Sequence, residues 1–345
     1  MKANRIGAFG WAMAAVVVAG LGCSSTHGSS ATDAGADAGA NVDPSATLSA
    51  GIGPVSIPGG RETTVCIVTH VDNVDPLYVT RIVADLAPGS HHLIIYQQPD
   101  TVEEHLDPTL CAPFRGITQG DKPIMIVEKP HDELVFPDNV ALKFEPHQKL
   151  KFEAHYVNTT SETLQGAGVA HFEGLPPAKA TGIIESNLAF WGQVGFTLPP
   201  HAVTVSKTQF QTGIPGTKGF AMTTHQHRMG THLRVWSSAS DGDPAAVPLA
   251  DTTDWAEPPL YRLNPEIPFD GSNGLSFQCE WNNTTDQVIT YGEGGYDEMC
   301  FVWMYYYPSY GFDICVDGEC RQNEGRPDGK GDGGLGGTVD AGIAP

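Results

Sequence analysis

From about Ala46 to Cys320 the chain breaks into short runs of β-branched and aromatic residues, each closed by Gly, Pro, Asn or Asp, and this punctuation limits the fold more than any other feature. Thr64 to His70, Leu77 to Val83, His92 to Gln97, Ile124 to Val127, Lys149 to Tyr156, Leu233 to Trp236 and Cys300 to Tyr307 all have strand character. No apolar stripe recurs at helical spacing. Frequent short strands with turns between them predict an all-β protein of antiparallel β-sandwich or jelly-roll type. The folded stretch, about 280 residues, is long enough for two such domains in succession, and we place them at residues 47–183 and 184–320. No sequence repeat relates the two halves.

The ends read differently. Lys2 and Arg5 precede an apolar run from Ile6 to Ala19, and Gly20-Leu21-Gly22-Cys23 follows, the layout of an export signal over residues 1–22. The apolar run is too short to span a bilayer. Small residues before Cys23 resemble a bacterial lipoprotein processing site, with Cys23 carrying the lipid; an ordinary secretory signal leaving Cys23 as an odd thiol is the alternative. Either reading exports the protein. Ser24 and Ser25 after Cys23 resemble the sorting rule for the outer membrane, which gives an outer-membrane lipoprotein whose membrane contact is the lipid alone. Residues 23–46 and 321–345, rich in Gly, Asp and small residues, bury too little apolar surface to order and are expected to be a flexible linker and a disordered tail.

Net charge is −21, from 40 acidic and 19 basic residues, which argues against a nucleic-acid partner, since that needs a basic footprint. With Cys23 set aside, Cys66, Cys111, Cys279, Cys300, Cys315 and Cys320 remain. An even count in an exported chain reads as disulfides, and none of them forms a Cys-x-x-Cys pair of the zinc-binding kind. Any metal chemistry must come from other residues.

Thirteen histidines in 345 residues give by chance about half of one His-His pair and about half of one His-x-His, so neither motif is informative alone. His225-Gln226-His227 lies in a strand-like context, where residues two apart share a face and can grip one ion; two solvated histidines on an exposed strand would look the same. His91 and His92 are neighbours, which a regular strand would point to opposite faces. For both to reach one metal the backbone must bulge or turn, and Pro88-Gly89-Ser90 supplies the entry. His155 lies with Glu153 on the polar face of an alternating strand, a position that more often belongs to the surface. Met299, entering the aromatic run up to Tyr307, is by itself an ordinary packing residue.

Taken in order, His91-His92 before an apolar strand, Glu153-Ala154-His155-Tyr156, His225-x-His227, and Asp297-Glu298-Met299-Cys300 with a later Tyr-Tyr-Tyr-Pro resemble the copper type II, ascorbate-dependent monooxygenases. The likeness runs from about Arg61 to Cys315. It implies two β-sandwich domains with one copper on each, His91, His92 and His155 forming an electron-donating site and His225, His227 and Met299 an oxygen-activating, catalytic site. Imidazole suits both copper oxidation states and a thioether favours Cu(I). Ascorbate or another reductant would supply electrons, and dioxygen would hydroxylate a C–H bond of a small-molecule substrate. The same template pairs Cys66 with Cys111 and Cys279 with Cys300, leaving Cys315 and Cys320 to each other.

Amidating members of that family hold a peptide carboxylate with an Arg two residues before the His-x-His motif and with an Asn and a Tyr after the ligand Met. Here those places are Thr223, Phe301 and Trp303, so a peptidyl-glycine lacks its charged anchor and an apolar or aromatic substrate is expected. Phe301 and Trp303 would equally serve as core aromatics. A non-enzymatic copper-binding lipoprotein on the same scaffold is the main rival. A zinc hydrolase or carbohydrate-binding jelly roll is a third reading. His27, His70, His105, His131, His147, His171, His201 and His232 carry no assigned role.

Overall fold

The computed structural model describes residues 47–114, 116–117, 121–239 and 244–321. The export signal, Cys23, the linker and the tail beyond Arg321 lie outside them. The first half supplies β1 (Thr47–Ile57), β2 (Glu62–His70), β3 (Leu77–Leu86), β4 (Ser90–Gln98), β5 (His105–Leu110), β6 (Lys122–Val127), β7 (His131–Val135), β8 (Val140–Phe144), β9 (Lys149–Val157), β10 (Leu164–Leu175) and β11 (Ile184–Glu185). The second half supplies β12 (Asn187–Gly192), β13 (Thr197–Leu198), β14 (Ala202–Val205), β15 (Gln209–Thr212), β16 (Lys218–His225), β17 (Gly230–Ala239), β18 (Ala250–Thr252), β19 (Tyr261–Pro268), β20 (Asn273–Asn283), β21 (Ile289–Thr290), β22 (Phe301–Tyr307), β23 (Asp313–Val316) and β24 (Glu319–Arg321).

The molecule is all-β, as its strand punctuation predicts. In the first half a sheet ordered β1-β10-β3-β8-β11, with β7 also on β3, lies with a second sheet ordered β5-β2-β9-β4-β6. In the second half the sheets run β19-β16-β22-β12-β23-β24 and β14-β20-β17-β18, with β15 also on β20 and a separate β13-β21 pair. Pairing is antiparallel except for β11 with β8 and β12 with β23. Because β11 joins the first half's sheet, the division between sheets falls at Ser186.

The apolar layer does not stop at that division. One cluster of buried side chains runs from Ile94, Phe152 and Tyr156 of the first half through Phe190, Phe301, Trp303 and Tyr305 of the second. Phe301 and Trp303 pack on Phe190 with ring centroids 4.6 and 4.8 Å away. A second cluster, around Trp281, Phe277, Leu233 and Met304, fills the second half alone. The sheet holding β4 and β9 and the sheet holding β16 and β22 therefore share a core, and side chains along its margin from both halves can meet.

Both cystine pairs implied by the family template are formed, Cys66–Cys111 and Cys279–Cys300, and the remaining two cysteines pair with each other as Cys315–Cys320. The first ties β2 to the segment after β5, the second ties β20 to the entry of β22, and the third closes the β23–β24 hairpin.

Candidate metal centre

His91 and His92 meet the geometric demand that adjacency places on them. Gly89 adopts φ +88°, the left-handed turn conformation that glycine takes without strain, and the β4–β9 register slips between Ser90 and His92, leaving His91 bulged out of the ladder. His92 stays in register, directly across from His155. The bulge lets both rings of the consecutive pair, centroids 5.2 Å apart, serve one locality, and His155 completes it at 5.4 Å from His91 and 5.0 Å from His92. The polar face of β9 is not a solvent face: Glu153 and His155 are both buried, because this side of the strand abuts the segment carrying Phe114 and the second half.

From the second half come His225, the last residue of β16, and His227, just past the strand end, with rings 5.2 Å apart. Both are about 1% exposed. The structure brings the two groups of histidines together. His91 lies 5.8 Å from His225 and 5.7 Å from His227 between ring centroids, and His92 lies 5.4 Å from His225. Among the described residues, the three-residue set of potential ligand atoms lying within 4.8 Å of one another is His91, His225 and His227. It takes one member from one expected trio and two from the other. Met299 is fully buried in the shared core, its backbone N–H donating to Glu298 Oε2.

The ring nitrogens carry the test of whether a metal fits. His227 donates Nδ1–H to the carbonyl of Asp297 at 3.0 Å, which leaves Nε2 as a bare lone pair, buried and without a partner. His225 has its Nδ1 on Glu128 Oε1, and its Nε2 is likewise buried and unpartnered. His155 places Nε2 on Glu62 Oε1 at 2.8 Å and Nδ1 toward His92 Nε2 at 3.2 Å, and His92 Nδ1 is a third buried orphan. Buried polar atoms without partners are costly, and a coordinated cation is one way to satisfy such nitrogens. Burial, reinforced by neighbouring imidazoles, pushes His225 and His227 down to about 3 and holds His91 and His92 well below the usual range, so the rings are the neutral imidazoles that ligation requires. A donor set of neutral imidazoles suits copper.

Several residues of the centre carry no sequence signal. Glu62 accepts both from His155 and from the backbone N–H of Gly295 at 2.8 Å, joining the halves. Glu128, immediately after β6, accepts from Thr223 Oγ1 at 3.3 Å as well as holding His225. Burial pushes the Glu128 carboxyl well above its usual range, while a cation on the far nitrogen of His225 would favour the carboxylate. Phe114, held in the left-handed region at φ +53°, seats its ring 5.1 Å from His92 and 5.6 Å from His225; Glu153 fixes it by accepting its backbone N–H at 2.6 Å. Trp255, half-buried, stands 5.8 Å from His91. In the sequence these look like any acidic or aromatic residues beside strands.

Of the expected substrate contacts, Phe301 and Trp303 are core residues, 3% and 0% exposed. Thr223 is buried and occupied, shared between Glu128 and the carbonyl of Pro259 at 3.2 Å. The unassigned histidines of the described region include His70, His131, His201 and His232, each paired with an exposed or partly exposed carboxylate.

Fold and centre together define an all-β protein in which two adjoining halves enclose a buried polyhistidine site of metal-ligating character. Residues 199–323 match the family model of the copper type II ascorbate-dependent monooxygenase C-terminal domain. That match lies within the second half and is to the family that the histidine and methionine motifs resemble. No curated protein matches the chain. Among solved structures, the major capsid protein P2 of bacteriophage PM2 is similar at 8% identity and TM-score 0.32, covering 77% of this chain and 100% of its own. A protein of Parabacteroides distasonis described as secreted is similar at 8% identity and TM-score 0.21, over 77% of this chain and 90% of its own. At such scores neither likeness bears on function.

Proposed function

We propose that this protein is a copper-dependent monooxygenase that hydroxylates a C–H bond of a small apolar or aromatic substrate with dioxygen and ascorbate or an equivalent reductant. The observation that carries the reading is the set of three buried, unpartnered imidazole nitrogens, on His92, His225 and His227, in a chain whose second half matches the family. His91, His92 and His155 would hold one copper, and His225, His227 and Met299 the other. Bound copper would supply the redox chemistry, passing electrons from reductant to dioxygen. The chain's own part is to keep the imidazoles neutral and aimed. The Asp297 carbonyl and Glu128 orient the second pair, and Glu62 orients His155. Phe114, Phe301 and Trp303 wall the centre from water on the core side.

Thr223 and its neighbour Glu128 support the substrate reading. A peptide carboxylate brought to this place would find a hydroxyl already engaged and a buried acid rather than a cation. The three disulfides support export to an oxidising compartment, with Cys23 as the lipid attachment.

The test is reductant-dependent oxygen uptake by the copper-loaded protein over phenethylamines, peptidyl-glycines and neutral aromatic compounds, with Met299→Leu beside it. Leu keeps the buried volume and removes the thioether. Product hydroxylation lost in Met299→Leu, with copper retained at the other histidines, is the expected result. Copper uptake without oxygen consumption under any condition would make the protein a copper-holding lipoprotein instead, and turnover confined to peptidyl-glycines would overturn the substrate class.

A further inference from the structure

We infer that Glu128, a residue of the first half, is a positioning residue for His225 of the second, and that the two halves must be docked for His225 to present its metal-binding nitrogen. The inference rests on the copper reading above. Glu128 is 4% exposed and sits where β6 ends, against β16. Its Oε1 takes the Nδ1 side of His225 and its Oε2 takes the hydroxyl of Thr223, two residues earlier on the same face of β16. This two-point grip sets the rotation of the His225 ring, and with Glu128 as the carboxylate that a cation on the ring would favour, it puts the hydrogen on Nδ1. Nε2 is thereby left as the lone pair facing His91 and His227, where it is buried and otherwise unpartnered. Among the described residues the partner of His225 Nδ1 is Glu128, from the first half, and the hydroxyl of Thr223 is turned to Glu128 and to Pro259. Outer partners of this kind fix the tautomer and orientation of ligating histidines, and losing one weakens metal affinity by roughly 10- to 100-fold.

Gln is the informative replacement. Its amide oxygen can accept from His225 Nδ1–H while its NH2 donates to Thr223 Oγ1, freeing that hydroxyl to donate to Pro259 O. Ala removes both contacts. Glu133→Gln serves as the control, since Glu133 makes an exposed cross-half pair with Arg262 at 3.6 Å and touches no histidine.

The experiment titrates the full chain and its variants with Cu(II) alone against a chromophoric chelator, and records the EPR spectrum of the loaded forms and their thermal midpoints. In Glu128→Ala one class of copper is expected to weaken by roughly 10- to 100-fold with a changed hyperfine splitting, while Glu128→Gln stays within about threefold of wild type and Glu133→Gln is unchanged. Should Glu128→Ala fail to fold, Thr223→Val decides, expected to weaken the same copper class and move its spectrum in the same sense to a smaller extent. Wild-type affinity and spectrum in Glu128→Ala, or in Thr223→Val where that variant decides, overturn the inference. So does a Gln variant as impaired as Ala, or the same change in Glu133→Gln. A wild-type chain that takes up no copper overturns the underlying copper reading instead, and the inference falls with it.

Discussion

At the scale of single residues, the structure shows how much of the centre is arranged by buried acids. Glu153 has no exposure, accepts from Phe114 N–H at 2.6 Å and from Tyr96 O–H at 3.2 Å, and lies 3.9 Å from Lys151 Nζ. Replacing it by Leu strands two buried donors, so Glu153→Leu should cost roughly 2–4 kcal/mol, read as a lower denaturant midpoint, and Glu153→Gln, which keeps an acceptor, should cost less than half as much. Equal losses in both variants would mean that the charge, not the acceptor, is what matters. Glu153 was visible in the sequence only as the polar neighbour of His155 on an alternating strand. That alternation reports which residues share a face; whether the face meets water or another sheet depends on what docks there.

At the scale of strands and their links, β12 and β22 are paired so closely that Gly192 cannot carry a side chain. A Cβ there would lie 2.1 Å from Phe301 Cδ1. Gly192→Ala should therefore displace Phe301 and its partner Phe114, destabilising by about 1–3 kcal/mol and, unlike an ordinary surface strand change, altering copper affinity. Stability lost without any effect on copper would show that the aromatic wall is not coupled to the centre. The disulfides give a graded expectation. Their sequence separations of 45, 21 and 5 residues correspond in the chain-entropy model to about 4, 3 and 2 kcal/mol, so double Ala replacements should destabilise in the order Cys66/Cys111, Cys279/Cys300, Cys315/Cys320. A reversed order by denaturant titration would point to the native-state contacts of the hairpin.

At the scale of the whole molecule, the shared core makes the two halves one cooperative body. Ile94 and Phe152 belong to the same buried cluster as Phe190, Phe301 and Trp303, and the acids Glu62 and Glu128 reach across to Gly295, Thr223 and His225. Calorimetry of the metal-free chain should show a single transition with equal van't Hoff and calorimetric enthalpies; two resolved transitions would refute a common core. On the proposal that the ligands act only in the assembled centre, Cu(II) at about 100 times its dissociation constant should add roughly 2.7 kcal/mol of stability, seen as a raised midpoint. No rise with copper would contradict binding at the assembled site.

The sequence by itself determined the all-β character, through turn residues that interrupt every β run. It also supplied the metal-ligating residue types, and the need for a bulge at His91, which two adjacent ligands impose on a pleated strand. Through resemblance it led to the cystine pairing. The tertiary structure alone decided that the polar face of β9 is interior, that Phe301 and Trp303 lie in the core, and that the histidines of the two halves crowd into one locality. It alone placed Glu62, Glu128 and Phe114 around them. The physical reason is that periodicity and spacing act along one strand, whereas burial, tautomer and proximity are set where sheets distant in sequence close on each other.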